Sequence, residues 1–156
     1  MITTLSIQEF LEQTKATPVI DVRTPAEFQQ GHIPGAFNIP LFTNEERVMV
    51  GTTYKQKSRE EAILTGFELV GPKWADFIRH ALRIAPGKKI AVHCWRGGMR
   101  SGAMAWALNL YGFDVILLEG GYKKFRNWVL NKFHDKLAIA MLGGLTGSGK
   151  TQVLKK

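Results

Sequence analysis

Lys89-Ile90-Ala91-Val92-His93-Cys94-Trp95-Arg96-Gly97-Gly98-Met99-Arg100-Ser101 runs from a short apolar segment through a glycine-bearing loop into the helix-like stretch Gly102 to Tyr111. Strand, loop and helix in that order are the repeating unit of α/β folds. A loop that feeds a helix N-terminus turns backbone N–H groups and the positive end of the helix dipole toward whatever sits in its bowl. Gly97 and Gly98 allow the backbone values that a tight bowl needs. A thiol held there, with Arg96 and Arg100 close by, is expected to have a lowered pKa and to act as a nucleophile. Cys94 is the chain's one cysteine, so no intramolecular disulfide competes for it. The alternative is a buried, inert cysteine at the end of a strand.

Outward from this loop the pattern repeats. Pro18 to Val22 is short, apolar and rich in β-branched residues, a second buried strand, with a brief extended piece at Ala36 to Ile39 and another strand at Val115 to Leu118. Ser6 followed by Glu9 opens an amphipathic helix carrying Ile7, Phe10 and Leu11. Thr43 to Val50, Ser58 to Leu69 and a segment through Phe77, Ile78 and Leu82 have helical spacing, and Gly71-Pro72 and Pro86-Gly87 interrupt it. Tyr122, Phe125, Trp128 and Val129 recur as one stripe of a last helix, which reads as core packing. Strands alternating with helices predict a central parallel sheet covered on both faces.

The 156 residues suffice for one domain with its own core. No stretch is apolar for long enough to span a bilayer, and Met1 to Phe10 lacks the basic start and apolar run of a signal peptide, so the expected location is cytoplasmic. A formal charge of +8 favours an anionic partner such as RNA. Lys88 and Lys89, and Lys123, Lys124 and Arg126, form local groups that serve equally as solvated surface. No metal site and no tightly bound cofactor is expected.

Two flanking segments carry a family resemblance. Asp21-Val22-Arg23-Thr24-Pro25-Ala26-Glu27-Phe28, followed by Gly31-His32-Ile33-Pro34-Gly35-Ala36-Phe37-Asn38-Ile39-Pro40, resembles the N-terminal signature of rhodanese domains, and Glu119-Gly120-Gly121-Tyr122 resembles the turn after their last central strand. The resemblance implies a rhodanese-like fold and a sulfurtransferase cysteine at Cys94. On physical grounds the first signature is architectural, with Asp21, Arg23 and Glu27 expected to form one ion-pair cluster. The cysteine loop is longer than in many rhodaneses: five residues separate Cys94 from Arg100. His93 with Cys-x5-Arg is also the arrangement of tyrosine phosphatases and their kin, so a phosphatase is the rival reading. His93 itself reads as a core histidine.

Two further segments separate the rivals. Asn44 to Gln56, with Ala62, Gly66, Leu69 and Val70 after it, resembles an insert of the tRNA 2-selenouridine synthases. Gly144-Leu145-Thr146-Gly147-Ser148-Gly149-Lys150-Thr151 is a Walker A pattern after the apolar run Leu137 to Leu142. That family places a rhodanese domain before a P-loop domain, which sets the expected boundary here between residues 136 and 137. Gly144, Gly149, Lys150 and Thr151 are the candidate phosphate contacts of this second unit. Only Gln152 to Lys156 follow, little more than one helical turn at about 1.5 Å per residue, so the chain is expected to be a fragment.

The resemblance further implies replacement of the 2-thio sulfur of a tRNA wobble uridine by selenium. Selenophosphate and geranyl diphosphate are its implied co-substrates, the latter through an S-geranylated intermediate, and tRNA and a selenophosphate-supplying enzyme its partners. The accompanying expectation is that Arg96, Gly97, Gly98, Met99 and Arg100 hold the phosphoryl end of selenophosphate. Cys94 would then take the selenium as a selenopersulfide and release phosphate; in a quieter version it handles sulfur alone. A binding module that keeps only the fold is the third reading.

Overall fold

The computed structural model describes residues 1–135, 142–149 and 151. Five parallel strands form one sheet in the order β1-β5-β4-β2-β3. They are β1 (Ile2–Leu5), β2 (Val19–Asp21), β3 (Phe37–Asn38), β4 (Lys89–His93) and β5 (Asp114–Leu118). The central register sets Ile20 beside Val92 and Ile90 beside Val115, and these apolar side chains are fully or almost fully buried because helices cover both faces.

On one face α3 (Asn44–Gln56), α4 (Arg59–Val70), α5 (Trp74–Ile84) and α6 (Met99–Leu110) enclose a core that includes Phe42, Val70, Phe77, Met104 and Leu108. On the other, α1 (Ile7–Gln13) and α7 (Gly121–Lys132) cover Phe10, Val19, Ala91, Ile116 and Phe125. The aromatic stripe of α7 is core packing, as its spacing suggests, and Gly71–Lys73 forms a short 3-10 turn between α4 and α5.

Three departures from the sequence reading bear on the site. Ile2–Leu5 is a strand that pairs with β5, with the terminal ammonium 3.0 Å from Asp114 Oδ1. Its mostly exposed edge position hides it from an alternation test. Pro25–Gln29 is a helix, α2, opened by a capping box in which Thr24 Oγ1 accepts from the Glu27 N–H at 3.2 Å and Glu27 Oε2 accepts from the Thr24 N–H at 3.0 Å. Finally, α6 starts at Met99 rather than Gly102, so Arg100 and Ser101 belong to its first turn.

Among the described residues no helix is long and apolar enough to cross a membrane. Of the Leu137 to Leu142 strand candidate only Leu142 is described, and it is exposed; the rest and Lys150 lie outside the described residues. Gly144, Gly149 and Thr151 are exposed.

Candidate functional site

The cysteine loop crosses the carboxyl end of the sheet between β4 and α6. Its start is fixed on two sides. The His93 carbonyl accepts from the Val22 N–H at 3.0 Å, while the Cys94 and Trp95 carbonyls accept from the Tyr122 and Lys123 N–H groups of α7 at 2.8 and 3.0 Å. The loop and the Glu119-Gly120-Gly121-Tyr122 turn interlock through glycines. Gly97 has φ +65°, and a β-carbon there would stand 2.8 Å from the Leu118 carbonyl oxygen. Gly121 has φ +58°, and its β-carbon would collide with the Cys94 carbonyl oxygen and the Gly97 nitrogen. Close approach and a left-handed backbone both demand glycine at these two positions.

The Cys94 side chain lies in the bowl so formed, and the residue is 3% exposed. Its Sγ accepts from the Gly98 N–H at 3.3 Å and from the Ser101 hydroxyl at 3.3 Å. Burial pushes the thiol pKa up, but donation from the Ser101 hydroxyl and from the N–H groups of Gly98, Ser101 and Arg96 outweighs burial, and the thiol sits below its ordinary value. The lowering comes from N–H groups at the head of α6 and a hydroxyl. The sequence reading named the loop N–H groups, which do act on the thiol, together with the Arg96 and Arg100 charges, which are not among the causes; the Ser101 hydroxyl is the contributor it lacked.

The two arginines have different surroundings. Arg96 is exposed at the rim beside Gly97, Gly98 and Met99. Arg100 turns to α2, its Nη1 and Nη2 donating to Glu27 Oε2 and Oε1 at 2.7 and 3.2 Å. Glu27 is half-buried; burial raises its pKa, but hydrogen bonds from Arg100 and the Thr24 N–H, together with the Arg100 and Arg23 charges, leave it below the ordinary carboxylate value.

The expected Asp21, Arg23 and Glu27 cluster is therefore divided. Arg23 pairs instead with Asp21, donating through Nη2 at 2.5 Å and through Nε at 2.9 Å to both carboxylate oxygens, with both side chains essentially buried. The residue type that separates the pairs is Arg100, which reaches Glu27 only because α6 starts early. His93 is fully buried on β4; desolvation holds its pKa low despite Asp21, 3.8 Å away, so the ring is neutral at pH 7. Among the described residues there is no cluster of His, Cys, Asp and Glu able to hold a metal ion.

A buried thiol of lowered pKa, held by the Gly98 N–H and the Ser101 hydroxyl on the sheet's carboxyl edge, is the arrangement of a cysteine nucleophile. The chain belongs to the rhodanese-like domain family, which matches residues 6–127. More particularly, it is similar to proteins named tRNA 2-selenouridine synthase. That of Nitrosomonas eutropha is 40% identical over 154 residues, covering 92% of this chain and 38% of the relative. That of Cronobacter sakazakii is 41% identical, covering 91% of this chain and 39% of the relative. The chain thus spans well under half the length of these relatives.

Among solved structures, the N-terminal domain of a Clostridium difficile 630 protein described as ATP/GTP binding superposes with a TM-score of 0.74 at 43% identity. It covers 82% of this chain and 99% of that domain. A Bacillus anthracis structure, CoADR-RHD, superposes with a TM-score of 0.51 at 25% identity, over 83% of this chain and 17% of the other.

The lowered thiol pKa has a direct readout. Alkylation of Cys94 by iodoacetamide, followed by intact mass against pH, should reach half its maximal rate below the ordinary thiol value of about 8.5. Only the thiolate reacts, so a lower folded-state pKa moves the rate profile to lower pH. Ser101→Ala removes the strongest donor and should move the midpoint up. A midpoint at or above the ordinary value in the parent chain would contradict the hydrogen-bonded thiolate.

Proposed function

We propose that this chain is the chalcogen-handling part of a tRNA-modifying transferase of the 2-selenouridine synthase type, with Cys94 as its nucleophile. The observation that carries the reading is the Cys94 Sγ held by the Gly98 N–H and the Ser101 hydroxyl at the head of α6. The relatives' name supplies the tRNA and the selenium.

Electron counting restricts what Cys94 does. With a sulfane donor such as thiosulfate, the thiolate attacks the outer sulfur, an S–S bond forms to Cys94, the bond to the sulfonate breaks, and sulfite leaves with the electron pair. That step balances. Selenophosphate differs because its selenium is already at the selenide level. Forming a Cys94 selenopersulfide from it with phosphate as co-product would require a two-electron oxidant, so Cys94 does not take selenium from selenophosphate in this way.

Selenium instead exchanges with the 2-thio sulfur of the wobble uridine without net redox change: geranyl diphosphate alkylates the sulfur and releases diphosphate, the selenium of selenophosphate then displaces that sulfur from the base carbon as geranyl thiol, and water takes the phosphoryl group as phosphate. Cys94 handles sulfane-level sulfur. Arg96 and the loop N–H groups hold the anionic end of the donor, and Arg100 joins them only by leaving Glu27. A selenophosphate-supplying enzyme and geranyl diphosphate, the latter at the unit that begins at residue 137 and carries Gly144, Gly149, Lys150 and Thr151, complete the proposed system. A cytoplasmic location accords with a tRNA substrate.

The Glu27 pair also weighs against the phosphatase reading. A Cys-x5-Arg phosphatase needs its arginine free to take two phosphoryl oxygens, whereas Arg100 is already engaged by a carboxylate in bidentate fashion. With para-nitrophenyl phosphate the chain should show no Cys94-dependent turnover, while with thiosulfate and cyanide it should form thiocyanate. Glu27→Gln frees Arg100 and should raise phosphate-ester binding, read as tighter inhibition of thiosulfate turnover by inorganic phosphate. Robust phosphate release by the parent chain would overturn the transferase reading.

A further inference from the structure

Strand β1 ends the sheet order, and no strand among the described residues pairs with its outer side. Its inner side is satisfied by β5: the Met1 and Leu5 carbonyls accept from the Val115 and Glu119 N–H groups at 2.8 and 3.0 Å. Backbone groups along a strand alternate sides, so residues 1, 3 and 5 turn to β5 and the N–H and C=O groups of Ile2 and Thr4 point outward. Edge strands are ordinarily guarded by a lysine, a proline, a bulge or extreme shortness. The opposite edge follows that rule, since Phe37–Asn38 is a two-residue strand between Pro34 and Pro40. The Ile2-Thr3-Thr4-Leu5 edge has no such guard: it carries no charge and no proline, and Ile2, Thr3 and Thr4 are exposed.

The charge around this edge departs from that of a chain with formal charge +8. From Ile2 to Thr14, which includes α1 on one face of the strand, the only charged side chains are Glu9 and Glu12. On the other face α6 packs beside β1, has no charged residue from Ser101 to Leu110, and leaves Leu110 and the following Tyr111 exposed. Two copies meeting here bring together none of the lysines and arginines that would otherwise drive them apart through these segments.

We infer that β1 is the contact of a two-fold homodimer, in which the β1 strands of two copies pair antiparallel and join the two sheets into one. A two-fold axis perpendicular to the sheet keeps every side chain on its own face, so only residues an even number of positions apart can stand opposite each other. The register centred on Thr3 is the one that uses all the outward groups. It sets Ile2 against Thr4 of the second copy, and Thr4 against its Ile2, each pair exchanging both N–H···O bonds, with Thr3 opposite Thr3 as a closer, non-hydrogen-bonded pair. Met1 then stands opposite Leu5 of the second copy, on the face where each copy lines a cavity of about 320 Å³ with Met1, Thr3 and Leu5. The terminal ammonium, already beside Asp114, comes next to the start of α1 in the second copy, where Glu9 accepts from Ser6. The two Cys94 bowls face opposite ends of the joined sheet, so each acts alone.

Sedimentation velocity of the 156-residue chain over a concentration series tests this, and a reversible monomer–dimer equilibrium is the expected result. Thr3→Lys and Thr3→Glu each set like charges directly opposite one another and should each weaken the dimer by about fivefold or more. An equimolar mixture of the two variants should restore association, because lysine then faces glutamate; this recovery belongs to the Thr3-centred register and would not arise from misfolded variants. A parent chain that stays monomeric throughout, Thr3→Lys associating as tightly as the parent, or a mixture no tighter than either variant alone would overturn the pairing. The parent-chain series uses the unaltered protein and so does not depend on how a variant folds. Thiocyanate formation per chain, measured over the same series, reports on the transferase reading alone.

Discussion

Cys94→Ser is expected to abolish sulfur loading while leaving the fold in place. Intact-mass measurement after incubation with thiosulfate should show a one-sulfur gain on the parent chain and none on the variant, and sulfite release should fall to background. A serine hydroxyl fits the same bowl, accepts from the Gly98 N–H and can pair with the Ser101 hydroxyl, so packing is nearly unchanged. What disappears is the ionisable nucleophile: a thiol of lowered pKa gives up its proton more readily than an ordinary thiol, and a serine hydroxyl without an adjacent base does not. The His93 ring does not supply that base, because its Nδ1 lies 3.3 Å from the Cys94 carbonyl and its Nε2 is buried 3.8 Å from Asp21 Oδ2. An equal mass gain on the serine variant would place the reactive group elsewhere.

Arg23→Met should produce the largest loss of stability in the described domain. Asp21 and Arg23 are both essentially unexposed, and removing the guanidinium leaves a buried carboxylate without its counter-ion. Breaking one side of such a pair costs about 3–5 kcal/mol, a large share of a small domain's stability. The substitution also takes away the donor to the Gly31 carbonyl at 2.8 Å and the cation beneath Tyr122. Urea titration should show the midpoint drop, and the double variant Asp21→Leu/Arg23→Met should recover part of it, because both charges are then absent. A single variant within about 0.5 kcal/mol of the parent would mean that the pair is not buried as described.

Much of this was legible in the sequence, for identifiable reasons. Val19–Asp21, Lys89–His93 and Asp114–Leu118 are interior parallel strands, and interior strands of a covered sheet are apolar runs between turn residues. Ile2–Leu5 escaped because an edge strand with an exposed burial pattern carries neither an apolar run nor alternation. The Cys94 loop was legible as a loop because Gly97 and Gly98 interrupt a strand-to-helix passage.

Its electrostatics were less so. Charge proximity along the sequence suggested that Arg96 and Arg100 act on the thiol, but α6 begins at Met99 and its geometry carries Arg100 to Glu27, seventy-three positions away. Such long-range pairing is decided by tertiary packing and leaves no local signal. Ser101 could have been found, since the first turn of a helix after a cysteine loop is where a hydroxyl reaches back to the sulfur. The role of Gly121 was half visible: the Glu119 to Tyr122 turn was singled out, but its contact with the Cys94 carbonyl and the Gly97 nitrogen appears only in the folded chain.

Cys94 as the atom carrier is tested most directly by incubating the parent chain with thiosulfate labelled in the outer sulfur, digesting it without reductant and locating the label by tandem mass spectrometry. Labelled sulfur is expected on the peptide containing Cys94, no more than one atom per chain, removed by dithiothreitol and released as thiocyanate by cyanide. Sulfite released in stoichiometric amount with no label on Cys94, or label on another peptide, would contradict it.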